Sequence, residues 1–161
     1  MHPEGAQTLP GVLARAADRF GEAVALEDGA LQLSFVRLKS EVDAAAAGFI
    51  AAGVRQGDRV AIWGPNGADW IIAALGAQSA GAAIVPLNTR LKGREAGYIL
   101  RRSGARVLCH SGGFLGLDFM AMLAGETLPD LIQRVELGTP EWPAFRARAN
   151  DLHRRQVAER I

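Results

Sequence analysis

The sequence predicts an α/β protein with a layered, mostly parallel sheet and flanking helices. Three features carry that reading. From residue 57 onward, short apolar runs alternate with segments whose apolar residues recur at helical spacing. That order builds parallel strands joined by crossover helices. The run Ala82-Ala83-Ile84-Val85 has no polar alternation, as expected of a parallel strand covered on both faces. Alanine and glycine supply much of the apolar content while aromatics make up 6% of the chain, and small residues let layers approach closely.

The elements follow in order. Leu9, Val12, Leu13, Ala16 and Phe20 repeat at helical spacing. Thr8 is placed to cap that helix, Pro10 suits an early helical position, and Gly21 ends it. Residues 24–27 and 31–35 read as two short strands around Asp28-Gly29, a hairpin signal. The clearest helix covers residues 35–52, where Leu38, Val42, Ala45, Phe49 and Ile50 form one apolar stripe. Ser34 can cap its start, and Gly53-Val54 has the form of a left-handed cap with an apolar follower. Gly57-Asp58 is a turn and residues 59–63 a strand. Asn66, after Pro65, is expected to cap a helix over residues 67–79. Trp70, Ile71, Ile72 and Leu75 make that helix apolar on most sides, so burial on several faces is expected.

Residues 82–85 form the next strand. Ala96, Ile99, Leu100 and Ser103 mark a helix closed by Gly104, and residues 106–110 a strand. Gly112-Gly113 reads as a strand-to-helix turn before a helix marked by Leu115, Phe119, Met122 and Leu123. Residues 132–137 are a further strand. After Pro140 the pattern weakens. Trp142, Phe145 and Leu152 are the expected anchors of short helices, and the last ten residues are polar without a stripe. The organisation expected is one body over residues 1–137 and a weakly structured tail over 138–161.

Composition excludes several classes. A chain of 161 residues fits one domain or a large piece of one. A formal net charge of +1 removes the electrostatic argument for a nucleic-acid binder. Arg146, Arg148, Arg154, Arg155 and Arg160 gather near the end, as a solvated face or, alternatively, a phosphate-binding patch. Cys109 is the single cysteine, beside Val107 and Leu108 in a strand, so a buried, inert thiol is expected. Residues 1–11 show no basic stretch followed by an apolar run. The apolar stretch over residues 70–86 is interrupted by Gln78, Ser79 and Gly81 and falls short of the ~20 residues of a membrane span. A cytoplasmic location is expected. His2, His110 and His153 are scattered without metal-ligand spacing. His110-Ser111 has no nucleophile elbow around it. Asp58 and Asp69 read as turn and helix-start residues rather than an acid/base pair. No G-x-G-x-x-G follows a strand, which argues against a dinucleotide-binding protein.

The order of segments also resembles a known family. Leu33-Ser34-Phe35-Val36-Arg37-Leu38 is similar to the "LTYxEL" segment of adenylate-forming (AMP-binding, ANL superfamily) ligases. Gly57-Asp58-Arg59-Val60-Ala61-Ile62 with Pro65-Asn66 resembles their "GDRVAI…PN". Ala80-Gly81-Ala82-Ala83-Ile84-Val85-Pro86-Leu87-Asn88 resembles "AGAVxVPLN", with Thr89-Arg90-Leu91 continuing as "PRL". Tyr98-Ile99-Leu100 and Ser103-Gly104-Ala105-Arg106 resemble "YIL…SGAR". Each segment is weak alone, and the ordered set is specific. Phe114-Leu115-Gly116, Asp118-Phe119 and Met122-Leu123 look most like acyl-CoA ligases of steroid and alicyclic acid breakdown, a narrower and less specific match. One departure is visible: where the family places Thr or Ser before the "YIL" helix, this chain has Lys92-Gly93, read as a tolerable glycine cap.

The resemblance implies the amino-terminal subdomain of the adenylate-forming ligase fold, without its remainder. Complete members use ATP, Mg2+ and CoA to convert a carboxylic acid into an acyl-adenylate and then an acyl-CoA thioester. Their phosphate-holding loop reads "SGTTGxPKG", and no stretch here matches it. Such a loop holds phosphates with backbone amides and hydroxyls. No catalytic residue can therefore be carried over, and the chain by itself is expected to be inactive. In some relatives the arginine of the "PRL" segment approaches the CoA phosphates, so the resemblance implies that contact for Arg90. A guanidinium fork suits phosphate oxygens. The alternative is that Arg90 holds the loop after a buried strand. Asn66 and Asn88 are explained by capping and turn stabilisation. The partners implied are the carboxylic acid, CoA and the remainder of the ligase as a separate chain. The rival readings are a stand-alone binding or assembly module, a truncated gene product, and an independent nucleotide-binding protein.

Overall fold

The computed structural model describes residues 8–160. Residues 1–7 of the stretch 1–11 read as lacking a secretory pattern, and with them His2, lie outside these. The amino-terminal unit forms as its sequence dictates. Helix α1 (Leu9–Phe20) starts where Thr8 Oγ1 accepts from the Gly11 amide, and stops at Gly21, whose φ is 51°. Strands β1 (Val24–Asp28) and β2 (Leu31–Ser34) pair antiparallel around Gly29. Helix α2 (Phe35–Ala51) begins on Ser34 Oγ, which accepts from the Arg37 amide. Gly53 takes a φ of 90°, and the Val54 amide returns to the Phe49 carbonyl, closing the helix as expected.

The central sheet is built from β3 (Arg59–Trp63), β4 (Ala83–Leu87), β5 (Ala105–His110) and β8 (Gln133–Glu136). Its order is β4-β3-β5-β8 and every pairing is parallel. Helix α3 (Ala68–Ser79) connects β3 to β4, and α4 (Gly93–Ser103) connects β4 to β5. Alternate strand residues feed two cores, as the pleat requires. Val60, Ile62, Val107, Cys109 and Val135 pack with α1, α2 and α3 on one face. Ala61, Trp63 and Leu108 pack with α4 and Phe119 on the other. The doubly wound, mostly parallel sheet expected from the sequence is therefore the observed fold.

Packing explains two glycines. A Cβ on Gly76 of α3 would lie 2.6 Å from the Ala45 Cβ of α2, so these helices meet on small residues. A Cβ on Gly93 would lie 1.8 Å from the Met122 carbonyl oxygen. Gly93 is thus the first residue of α4, held glycine by contact with a neighbouring helix, and not the cap. The cap position belongs to Lys92, whose amide donates to Glu95 Oε2 at 2.8 Å.

Four other readings are corrected. Asn66 does not cap α3: Gly67 occupies the cap position without a side-chain bond, and the Ala68 amide donates to Asp28 Oδ2 at 2.8 Å. Strand β4 is not covered on both faces, because it is an edge strand with Ala83 and Pro86 exposed and Ile84 and Val85 half-buried. After Gly112 the chain does not enter a helix directly. It makes a small hairpin, β6 (Gly113–Phe114) and β7 (Leu117–Asp118), with Leu115 85% exposed at its tip, before the short α5 (Phe119–Met122). Leu152 is exposed and anchors nothing.

Residues beyond 138 are helical in two places. Helix α6 (Glu141–Ala147) buries Trp142 and Phe145 against Phe49 of α2, with the Phe49 and Phe145 ring centroids 5.2 Å apart. Burying side chains of this kind stabilises by roughly 1.5–3 kcal/mol each. Helix α7 (Asp151–Arg160) buries only Val157. Its start is fixed by a reciprocal bond: the His153 amide donates to Asn150 Oδ1 and the Asn150 amide to His153 Nδ1.

Candidate functional site

Strand order reverses at β3 and β5, since α3 leads from β3 to one side and α4 brings the chain back to the other. In doubly wound sheets the crevice outside the carboxyl ends at that point is where ligands bind. Here it lies between Gly64, after β3, and Ser111, after β5, with the Ser111 amide donating to the Trp63 carbonyl at 3.1 Å. A Cβ on Gly64 would come 3.0 Å from Ser111 Oγ, so glycine keeps the two loops together. Ser111 Oγ is buried and has no hydrogen-bond partner among the described residues.

Two open cavities meet over Gly64, Pro65, Asn66 and Trp70. One, of about 510 Å³, extends over Pro86, Asn88, Thr89 and Phe114. The other, of about 240 Å³, extends over Asp28, Asp69, Ser111 and Gly138. Neither is lined by a lysine or arginine, and the smaller carries the carboxylates of Asp28 and Asp69. Asp28 has the amino terminus of α3 for itself through Ala68, and Asp69 Oδ2 accepts from the Gly138 amide at 3.0 Å. A helix amino terminus at a switch point is the usual seat of a phosphate, and here a carboxylate of the same chain fills it. These residues do not fit a triphosphate. Among the described residues no three His, Cys, Asp or Glu side chains gather as a metal site.

The residues singled out by sequence fall around this crevice. Asn88 stabilises a turn: its Oδ1 accepts from the Arg90 amide at 2.9 Å, while its carbonyl accepts from Trp63 Nε1 at 3.1 Å. Arg90 follows at an exposed position of that loop, its amide the donor to Asn88 Oδ1. Asp58 Oδ2 accepts from the Arg55 amide, as a turn residue should. His110 is buried with Nδ1 3.1 Å from the Ser111 carbonyl, and no bond joins it to Ser111 Oγ. Cys109 is buried, and burial pushes its thiol pKa well up.

The arginines near the end divide. Arg146 pairs with Glu41 and lies over the Trp142 ring, 5.1 Å from its centroid. Arg160 donates to the carbonyls of Val54 at 3.2 Å and Ala80 at 2.8 Å, tying α7 to the ends of α2 and α3. Neither belongs to a phosphate patch. Sequence reasoning placed Asp28 in a hairpin turn and Arg160 in an arginine cluster but missed their partners, because each acts on chain far from its own position. A lone carboxylate at a hairpin tip was the only signal for the first. No helix among the described residues is long and apolar enough to cross a membrane.

Comparison with known proteins gives a consistent picture. The family model described as "AMP-binding enzyme" matches residues 13–148. The chain is 43% identical over 141 residues to the 3-[(3aS,4S,7aS)-7a-methyl-1,5-dioxo-octahydro-1H-inden-4-yl]propanoyl:CoA ligase of Rhodococcus jostii RHA1, covering 84% of this chain and 27% of that one. It is 44% identical over 125 residues to the ligase of the same description from Mycobacterium tuberculosis H37Rv, covering 78% and 25%. The chain thus spans about a quarter of the length of the curated relatives it matches. Among solved structures, a fatty acyl CoA synthetase of Mycobacterium tuberculosis superposes with a TM-score of 0.79 at 20% identity, covering 88% of this chain and 28% of that one. At that identity the likeness speaks for the fold.

Proposed function

This chain belongs to the AMP-binding enzyme family, and from that premise we propose that it is the amino-terminal supporting body of an acyl-CoA ligase. The observation that carries the reading is the 43% identity to an acyl-CoA ligase across 84% of this chain but only 27% of that enzyme. In the complete enzyme a fatty or alicyclic carboxylate attacks the α-phosphorus of ATP, with Mg2+ assisting, and pyrophosphate leaves. The CoA thiol then attacks the acyl carbon, AMP leaves, and a thioester forms. Residues 1–137 supply one subdomain of the body, and residues 138–161 lead toward the phosphate-binding loop. Arg90, exposed beside the larger cavity's Asn88 and Thr89, is the residue proposed to face the CoA phosphates. The site of action is the cytoplasm.

The chain by itself is inactive in this reading. Support comes from the crevice, where Asp28 takes the position a phosphate would need and no cation lines the walls. The test is ATP–pyrophosphate exchange with a panel of fatty and alicyclic acids. It is run on the purified chain and on a chimera joining it to the part of the Rhodococcus jostii ligase that follows the matched region. The chain gives no exchange and the chimera gives exchange and acyl-CoA. Exchange by the chain alone, or a folded chimera without activity, overturns the reading.

One observation favours a second reading, a stand-alone binding or assembly module: α6 and α7 cover the outer side of α2, and Trp142 and Phe145 are fully buried. A module is monodisperse by size-exclusion chromatography and melts cooperatively. A piece that needs its remainder exposes apolar faces and associates.

A further inference from the structure

Trp63 is the last residue of β3, and its side chain lies on the face of α4 and Phe119. The indole is fully buried and stacks on the Phe119 ring, with centroids 4.3 Å apart and planes inclined by 17°. Stacking of this kind sets the plane of the indole. A buried N–H needs an acceptor, because an unpaired one keeps the full cost of its desolvation. Strand β3 has a parallel neighbour on each side, so the facing backbone of β4 and β5 is already engaged in the ladders. The acceptor is instead the carbonyl of Asn88, one residue past the end of β4, at 3.1 Å.

That carbonyl is the pivot of the turn that presents Arg90. It also accepts from the Leu91 amide at 3.1 Å, which closes residues 88–91 as a turn. Asn88 Oδ1 accepts from the Arg90 amide at 2.9 Å. Asn88 therefore holds the backbone on both sides of the Arg90 side chain, and Trp63 holds Asn88. Both Asn88 and Arg90 are exposed, so the turn is fixed from beneath. Trp63 is itself tied to the opposite loop of the crevice, since its carbonyl accepts from the Ser111 amide at 3.1 Å. A rigid ring, oriented by Phe119, thus reaches from the core to one oxygen of an exposed turn.

We propose that the pair Trp63 and Asn88 positions Arg90 for CoA. This rests on the reading of Arg90 given above. A guanidinium fork gains most from phosphate oxygens when its backbone is set in place beforehand. A turn that must be ordered on binding loses affinity by the entropy of that ordering. Neither Trp63 nor Asn88 touches the reacting atoms in this proposal, and both act through Arg90. The effect belongs to the thioester-forming step. The acid and ATP react before CoA is used, so formation of the acyl-adenylate does not depend on the turn.

The test is steady-state kinetics on the chimera, with CoA varied at saturating ATP and acid, beside ATP–pyrophosphate exchange without CoA. Trp63→Phe keeps an aromatic ring on Phe119 and removes the N–H. It raises the KM for CoA about 2–10-fold, the loss expected of one hydrogen bond, and leaves exchange unchanged. Arg90→Ala raises the same KM. Trp63→Phe adds nothing further in the double variant, because residues that act through one another are not additive. Asn88→Ala, a change at the surface, removes the Oδ1 acceptor and repeats this pattern; it decides alone should Trp63→Phe not fold. Additive effects with Arg90→Ala, an unchanged KM, or a loss of exchange to match the rise in KM overturns the inference and leaves the proposed function standing. Arg90→Ala without effect on the KM for CoA removes the contact and the inference with it, while exchange by the chimera still supports a ligase. A folded but inactive chimera refutes the function itself.

Discussion

Replacing Asp28 by alanine removes the carboxylate that accepts from the Ala68 amide at 2.8 Å. Two contributions are lost. The cap bond is worth about 0.5–2 kcal/mol when a side-chain cap is truncated. Its charge at the amino terminus of α3 adds about 0.3–1 kcal/mol. Asp28→Ala should therefore destabilise the chain by about 1–3 kcal/mol. For a protein of this size the melting temperature falls about 2–4 °C for each kcal/mol. Asp28→Asn keeps an acceptor and loses only the charge, so its loss is about 0.3–1 kcal/mol. Asn66→Ala is the decisive companion, because sequence reasoning makes Asn66 the cap and the structure does not. Its effect should stay within about 0.5 kcal/mol, the range of ordinary surface changes. Urea unfolding followed by circular dichroism measures all three. If Asn66→Ala costs as much as Asp28→Ala, or if Asp28→Ala matches the unsubstituted chain, the long-range cap is refuted.

Other consequences are equally direct. Gly93→Ala forces a Cβ against the Met122 carbonyl and should cost about 1–3 kcal/mol by overpacking, read from the same urea curves; stabilisation would mean that α5 yields freely. Arg160→Ala strands the carbonyls of Val54 and Ala80 and should cost about 1–3 kcal/mol, with faster proteolysis in α7 as an independent readout. Cys109, buried with its thiol pKa raised, should resist a thiol reagent in the native chain even at alkaline pH and react fully in denaturant. Rapid native labelling would place it at the surface.

Much of this fold is legible in the sequence because its signals are local. Thr8, Ser34, Gly53 and Gly104 punctuate helices at the positions their chemistry predicts. What escaped was set by residues distant along the chain. Asn66 sits where a cap should be, but Asp28 arrives from a hairpin 40 residues earlier and satisfies the helix instead. Gly93 looked like a permissive cap because the Met122 carbonyl that forbids a side chain lies on another helix. The hairpin at residues 113–118 was hidden because Leu115 supplies a false apolar signal; it is exposed at a φ of 50°. The candidate crevice was less legible still. Family motifs point at Asn66, Asn88 and Arg90, whereas its electrostatic character comes from Asp28 and Asp69.

Strand β3 sits inside the sheet with both of its neighbours drawn from later in the chain. Every pairing in that sheet therefore waits for a crossover to be synthesised, whereas α1, the β1–β2 hairpin and α2 join sequence neighbours. Loop closure must be completed before distant pairings reward it. On the ribosome this polypeptide should thus acquire its helix-and-hairpin lobe early. Arg59 to Trp63, an almost wholly apolar ribbon, keeps one edge unpaired until β5, past residue 100, emerges. The vulnerable interval is consequently the stretch of translation between the emergence of β3 and that of β5, when a chaperone has most to shield.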